Sequence, residues 1–202
     1  DIVSSKSFTL SSINGNSTEL LFEIPEIELK KEEDGSSKFQ TSDMIGKTTE
    51  QGFPELPIFS SMFQMNPGTE YDIEFEVLSS YFIDNVDFKS LNINEDSFYP
   101  LENIYLSEPL IMRSVVLGQI SFIPYKYHYQ EKRLEVYDAV EVIITESNQI
   151  QSEYFLPEKK SYIFEELYES FVINYTKSDR DEDYQTPSIL YICGGNSINN
   201  AY

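Results

Sequence analysis

The sequence predicts a mainly β protein: an antiparallel β-sandwich, then one amphipathic helix, then the start of an α/β unit. Three observations carry this. Tyr71, Ile73, Phe75 and Val77 alternate with Asp72, Glu74 and Glu76, the period of a strand that buries one face. The runs 115–123 and 134–144 are β-rich, with Leu134, Val136, Val140, Val142 and Ile144 at alternate positions, and read as a central hairpin joined through Tyr125, Tyr127, His128, Tyr129 and Gln130. Only at 161–175 does the period change to that of a helix, with Phe164, Leu167, Tyr168, Phe171, Val172 and Tyr175 on one stripe and Glu165, Glu166 and Glu169 outside it.

In chain order, Leu20, Phe22 and Ile24 share a strand face that Pro25 breaks, because proline donates nothing to a ladder. The polar run 30–37 is a hairpin tip. Gly52, Pro54 and Pro57 force an extended, kinked lead-in to the next strand. The alternating run follows the Asn66-Pro67-Gly68 turn, and 81–88 reads as a further strand. Ser161 is placed to cap the helix. Residues 176–186 are charged and poor in apolar side chains, a linker. The continuous apolar run Ile189 to Cys193, closed by Gly194 and Gly195, reads as a buried parallel strand. The domain reading is therefore 1–175 for the β-sandwich with its helix 161–175, 176–186 for a cleavable linker, and 187–202 for the first strand and loop of an α/β domain.

Charge excludes several functions. Fourteen Lys+Arg stand against 35 Asp+Glu in 202 residues, a formal net charge of -21. Phosphate backbones and anionic membrane surfaces both call for positive charge, so neither is an expected partner, and with no apolar run approaching the length of a membrane span no membrane insertion is expected. One cysteine allows no internal disulfide. Asp72, Glu74 and Glu76 lack the glycine-bearing acidic loop of a calcium site, and solvated carboxylates are the simpler reading. With a single histidine, His128, and a single cysteine, Cys193, neither a zinc site nor a catalytic dyad is expected. No metal or cofactor is implied, and the chain is not read as an enzyme.

Five motifs in order carry a family resemblance: Gly52-x-Pro54-x-Leu56-Pro57; Tyr99-Pro100; Ser107-Glu108-Pro109-Leu110-Ile111-Met112-Arg113; Pro124-Tyr125-Lys126-Tyr127; and Leu134-Glu135-Val136-Tyr137. Together with the helix and the α/β start, they resemble the propeptide of the gingipain family of cysteine peptidases over roughly residues 20 to 175. The resemblance implies a β-sandwich prodomain that assists folding of a secreted endopeptidase, covers its cleft and keeps it latent until cleaved. Its partner would be its own downstream cysteine peptidase domain, exported through type IX secretion to the medium or surface of a bacterium after signal-peptide removal. A covalently linked inhibitor gains from high local concentration and stabilises the folded enzyme by mass action.

On that resemblance, the inhibitory residue belongs on the connection before Tyr99-Pro100. There the only basic residue is Lys89, which a solvated strand end would equally explain. Arg113 is read as structural. Cleavage is expected after Lys177 or Arg180 in the linker. The alternatives are a carbohydrate- or protein-binding sandwich with Tyr125, Tyr127 and Tyr129 as its platform, and the retained leading domain of a secretion-associated relative.

Overall fold

The computed structural model describes residues 7–41, 45–89, 98–113, 115–149, 159–177, 179–180 and 184. Through them run β1 (Phe8–Asn14), β2 (Ser17–Glu23), β3 (Glu28–Lys31), β4 (Ser37–Gln40), β5 (Gly46–Lys47), β6 (Pro57–Met65), β7 (Thr69–Ile83), β8 (Phe98–Tyr99), β9 (Ile104–Leu106), β10 (Leu110–Met112), β11 (Val115–Phe122), β12 (Tyr125–His128), β13 (Arg133–Gln149) and α1 (Tyr162–Phe171). The mainly β class with antiparallel sheets and one helix is as expected. The proposed α/β start at 187–202 lies outside the described residues.

Two antiparallel sheets face each other. The first runs β1-β2-β13-β12-β8, with β7 on the other edge of β13; the second runs β10-β11-β6-β5, with β9 also on β11. Strand β13 organises the first sheet because its length lets it hold β12 beside Arg133 to Val136 and β2 beside Ala139 to Thr145. Its apolar alternation turns Leu134, Val136, Val140, Val142 and Ile144 inward, all fully buried. Aromatic rings bridge the sheets. Phe22 of β2 meets Phe59 of β6 at 5.5 Å and Phe122 of β11 at 4.9 Å between centroids, and Phe75 of β7 meets Phe122 at 5.2 Å. Each buried phenylalanine contributes about 2–3 kcal/mol of transfer free energy, so this seam is a principal source of cohesion.

The structure corrects the expected central hairpin. Residues 115–122 and 133–149 lie in different sheets: β11 pairs with β6, β9 and β10, whereas β13 pairs with β12, β2 and β7. Pro124 marks the crossing, its carbonyl accepting the Tyr137 N–H at 2.9 Å. The segment read as a connection is itself strand β12, and Tyr125 and Tyr127 are buried in the core. Alternating tyrosines suit a strand as well as a platform, and here burial decides between them. A second correction joins two strands into one: β7 runs unbroken from Thr69 to Ile83, with register shifts against β13 around Tyr137 and Ala139. Asp72, Glu74 and Glu76 face solvent along it. Pro25 does end a strand, since β2 stops at Glu23, and 32–36 forms the tip between β3 and β4.

Candidate functional site

Helix α1 packs across the outer face of the second sheet, over Val115, Leu117 and Met112. Ser161 stands at its N-cap in an extended conformation, but its side chain makes no capping bond; its carbonyl accepts the Phe164 N–H at 3.0 Å instead. The buried stripe is narrower and rotated from the one expected. Glu165 is 0% exposed and Tyr168 1%, while Leu167 is 42% and Ile163 86% exposed. Positions 165, 168 and 172 follow helical spacing, so Glu165 turns toward the sheet with Tyr168 and Val172. The Tyr168 hydroxyl donates to the Met112 carbonyl at 2.9 Å. Arg113, in the left-handed region at φ 58°, sets its guanidinium 4.7 Å from the centre of the Phe164 ring. This cation–π contact links Arg113 to the helix.

The helix ends at Phe171, four residues before the expected Tyr175, because the chain turns extended at Val172 to continue the second sheet. Val172 bridges Met62 in parallel, and the Ile173 N–H donates to the Met62 carbonyl at 2.8 Å. The Asn174 amide forks onto Gln64: Oδ1 accepts its N–H at 2.6 Å and Nδ2 donates to its carbonyl at 3.0 Å. Asn174 heads a glycosylation-like triplet in the sequence, and the structure commits its amide to this fork. Tyr175 then folds back on the helix and donates its hydroxyl to Glu165 Oε1 at 2.8 Å. Burial, and secondly the bond to Glu165, push the Tyr175 hydroxyl far above the ordinary tyrosine range.

Beyond this clasp lie the two basic residues predicted as cleavage positions. Lys177 and Arg180 are both exposed, with Lys177 Nζ 5.9 Å from the centre of the Tyr162 ring. Within the segment read as a linker, Tyr184 is only 3% exposed. Its ring stacks on Tyr162 at 4.0 Å, and its backbone bridges Lys160 in parallel. Lys160 Nζ also lies 5.2 Å from the centre of the Tyr175 ring. Glu165, Asn174 and Tyr184 are thus anchoring residues that pattern reasoning did not single out. Only Glu165 left a readable sign, its spacing to Tyr168 and Val172.

Lys89 occupies the opposite kind of setting. It is exposed at the rim of an open groove floored by Phe39, Phe53 and Phe88, and its ammonium is paired with Asp34 at the β3–β4 tip. The bond to Lys89, then those from Ser36, hold the Asp34 carboxyl well below the usual carboxylate range; the same pair raises Lys89. Residues 90–97, the rest of that connection, lie outside the described residues.

Most of the other motif residues lie near the crossing between sheets at Pro124. Gly52 adopts φ 90°, which a side chain would strain. The Pro54 carbonyl accepts the Thr48 hydroxyl at 2.8 Å, Thr48 Oγ1 accepts the Leu56 N–H at 2.9 Å, and Leu56 is fully buried as Pro57 begins β6. Phe53 stacks on Tyr99 at 4.6 Å, and Tyr99 pairs with Tyr127, whose hydroxyl donates to the Val86 carbonyl at 2.8 Å. Tyr137 packs on Phe75 and Phe122. Pro109 lies between Ser107, which brackets Gln119 with two 2.9 Å bonds, and β10. These residues shape backbone and core. His128 ends β12 with Nε2 3.8 Å from a Glu135 oxygen. Cys193 lies outside the described residues. Among the described residues there is no group of three or more His, Cys, Asp or Glu side chains that could hold a metal, and no helix long and apolar enough to cross a membrane.

Comparison with known proteins places this geometry. Residues 88–181 match the Propeptide_C25 family model. Gingipain R2 of Porphyromonas gingivalis is 28% identical over 150 residues, covering 63% of this chain and 20% of the relative. Gingipain R1 of the same organism is 28% identical over 149 residues, covering 63% and 15%. The chain thus spans a fifth or less of the length of these curated relatives. A solved complex of Porphyromonas gingivalis RgpB pro- and mature domains superposes with a TM-score of 0.64 at 24% identity, over 83% of this chain and 96% of the other. A structure addressing zymogenic latency of gingipain K superposes with a TM-score of 0.54 at 15% identity, over 73% and 96%. The two superpositions establish a shared fold, and the family match runs from Phe88, beside the Lys89 pair, through the helix clasp to Arg180 and Asp181. Over residues 88–181 this chain is similar to the propeptide of the gingipain family.

Proposed function

We propose that the chain is the prodomain of a secreted gingipain-like cysteine endopeptidase, which it helps to fold, covers at the cleft and keeps latent until proteolysis separates the two. The observation that carries this is the family match over residues 88–181, which ends within the segment bearing Lys177 and Arg180. The described chain supplies a rigid β-sandwich, with a helix that ties the C-terminal strand extension to it. Such a body can be held at high local concentration against a domain joined to its C-terminal side. The peptidase domain is the partner, the medium or surface of a bacterium the location, and type IX export the route.

Cleavage falls after Lys177 or Arg180, beyond the clasp formed by Val172, Asn174 and Tyr175. Sequencing the N-terminus of the matured protein tests this: starts at Ser178 or Asp181 support it, and a start upstream of Phe171 refutes it. Lys89 is the proposed contact to the peptidase, and to make it the ammonium must exchange Asp34 for a peptidase carboxylate. Lys89→Ala then weakens inhibition of the matured enzyme, whereas unchanged inhibition assigns Lys89 only to the β3–β4 tip.

A further inference from the structure

We propose that Asn14 is a self-modification site of the folded chain, where attack by the Gly15 nitrogen turns the asparagine into isoaspartate or aspartate. The change adds a negative charge to a chain already at -21 and alters the turn between β1 and β2.

Glycine leaves the nitrogen that follows a side-chain carbonyl unshielded, and the chain has two such places, Asn14-Gly15 and Asp34-Gly35, each at a hairpin tip. They differ in what holds them. Gly15 takes φ 60° in the tight turn closed by the Asn14–Ser17 pair, a position that calls for glycine. Asn14, Gly15 and Asn16 are exposed, and nothing lies within 4 Å of where a Cβ on Gly15 would stand. Among the described residues the Gly15 N–H makes no hydrogen bond. Asn14 Nδ2 donates to Ser12 Oγ at 2.9 Å, and Ser12 donates on to Glu19 Oε2 at 2.7 Å, which leaves the Asn14 carbonyl open to attack. At the other tip both reacting groups are engaged. The Gly35 N–H donates to the Glu32 carbonyl at 2.9 Å, and the Asp34 carboxylate accepts the Ser36 N–H at 3.0 Å, the Ser36 hydroxyl at 2.6 Å and the Lys89 ammonium.

The Gly15 nitrogen gives its proton to a solvent base and bonds to Asn14 Cγ. The Cγ–Nδ2 bond breaks, Nδ2 takes a proton from solvent, and ammonia leaves behind a succinimide ring. Water opens the ring at either carbonyl: at the former side-chain carbonyl it yields aspartate, at the main-chain carbonyl isoaspartate. Both products lose the Nδ2 donor to Ser12, and isoaspartate also lengthens the main chain by one carbon. The Asn16 carbonyl, two residues on, accepts the Glu146 N–H at 2.8 Å, so the lengthened turn disturbs the end of β13.

The test incubates the 202-residue chain beside a peptide of residues 10–19 in mildly alkaline buffer and follows both by mass spectrometry, with fragmentation that separates isoaspartate from aspartate. One exposed hydrogen bond shifts the population of the freed side chain by less than about tenfold, so the folded chain is expected to convert position 14 within about tenfold of the peptide's rate. Isoaspartate at position 34 is expected to lag well behind. A folded rate more than about tenfold below the peptide's, or isoaspartate at position 34 as early as at 14, overturns the assignment. Faster hydrogen exchange of the Glu146 amide in the converted chain is the second expected result, and unchanged exchange there refutes the effect on β13.

Discussion

Tyr175 reaches back across the end of α1 and donates its hydroxyl to Glu165, a carboxylate with no exposed surface, at 2.8 Å. The other Glu165 oxygen has no hydrogen-bond partner among the described residues. Removing one member of a buried polar pair leaves the other desolvated and unmatched, which costs about 1–3 kcal/mol. Tyr175→Phe is therefore expected to lower stability by about 2 kcal/mol, and Glu165→Gln, which keeps an acceptor and sheds the charge, by less than about 1 kcal/mol. Urea titration of the variants and their double mutant checks this; independent, additive losses would mean the bond carries no coupling.

Gly118 is buried in β11 of the second sheet. A Cβ built there would stand 2.8 Å from Met65 Sδ and 3.1 Å from Leu106 Cδ1. Both are ends of flexible side chains, so Gly118→Ala is expected to cost about 1 kcal/mol and the β-branched Gly118→Val about 3 kcal/mol. Thermal unfolding measures the pair, and a neutral Gly118→Val would show that β6 and β9 give way more freely than the packing indicates.

Buried tyrosines make the fold sensitive to alkali. Burial first of all pushes the Tyr71 and Tyr137 hydroxyls up to about 12, and raises those of Tyr125 and Tyr129 as well. An acid whose pKa is higher in the folded state keeps its proton longer there, so the unfolded chain binds fewer protons above about pH 10. Their stabilisation is thus fully present below about pH 10 and is lost as the pH rises toward about 12. Urea midpoints should hold steady to about pH 9 and then fall, with tyrosinate absorbance rising in step with unfolding. A flat stability profile through pH 11 would contradict the burial of these rings.

The legible part of the sequence was its periodicity. Alternation at Tyr71 to Val77 and at Leu134 to Ile144 marked β7 and β13, and the strand break at Pro25 followed from its missing N–H. Which strand pairs with which was not legible: residues 115–123 and 134–144 alternate alike whether they share a sheet or face each other across the core. The Pro124 crossing decides that, and it depends on long-range pairing with β6 and β2. Tyr125 and Tyr127 misled for a related reason, since a tyrosine ring suits a surface or a core equally until its neighbours Phe39, Phe88 and Val86 are known. Glu165 was set outside the helix stripe on charge alone, although its spacing to Tyr168 and Val172 put it within. Tyr184 stands as a lone aromatic in a charged stretch, and its stacking on Tyr162 is a contact distant in sequence that no local pattern signals.

The most direct test of the prodomain account is inhibition by the chain itself. The matured peptidase encoded with this chain is assayed on a peptide substrate while the purified 202-residue chain is titrated in. The account predicts a saturable fall in hydrolysis that reaches its floor near one chain per enzyme, as expected when a prodomain binds back over the cleft that it covered in the precursor. Equal rates with and without a large excess of the chain would contradict it.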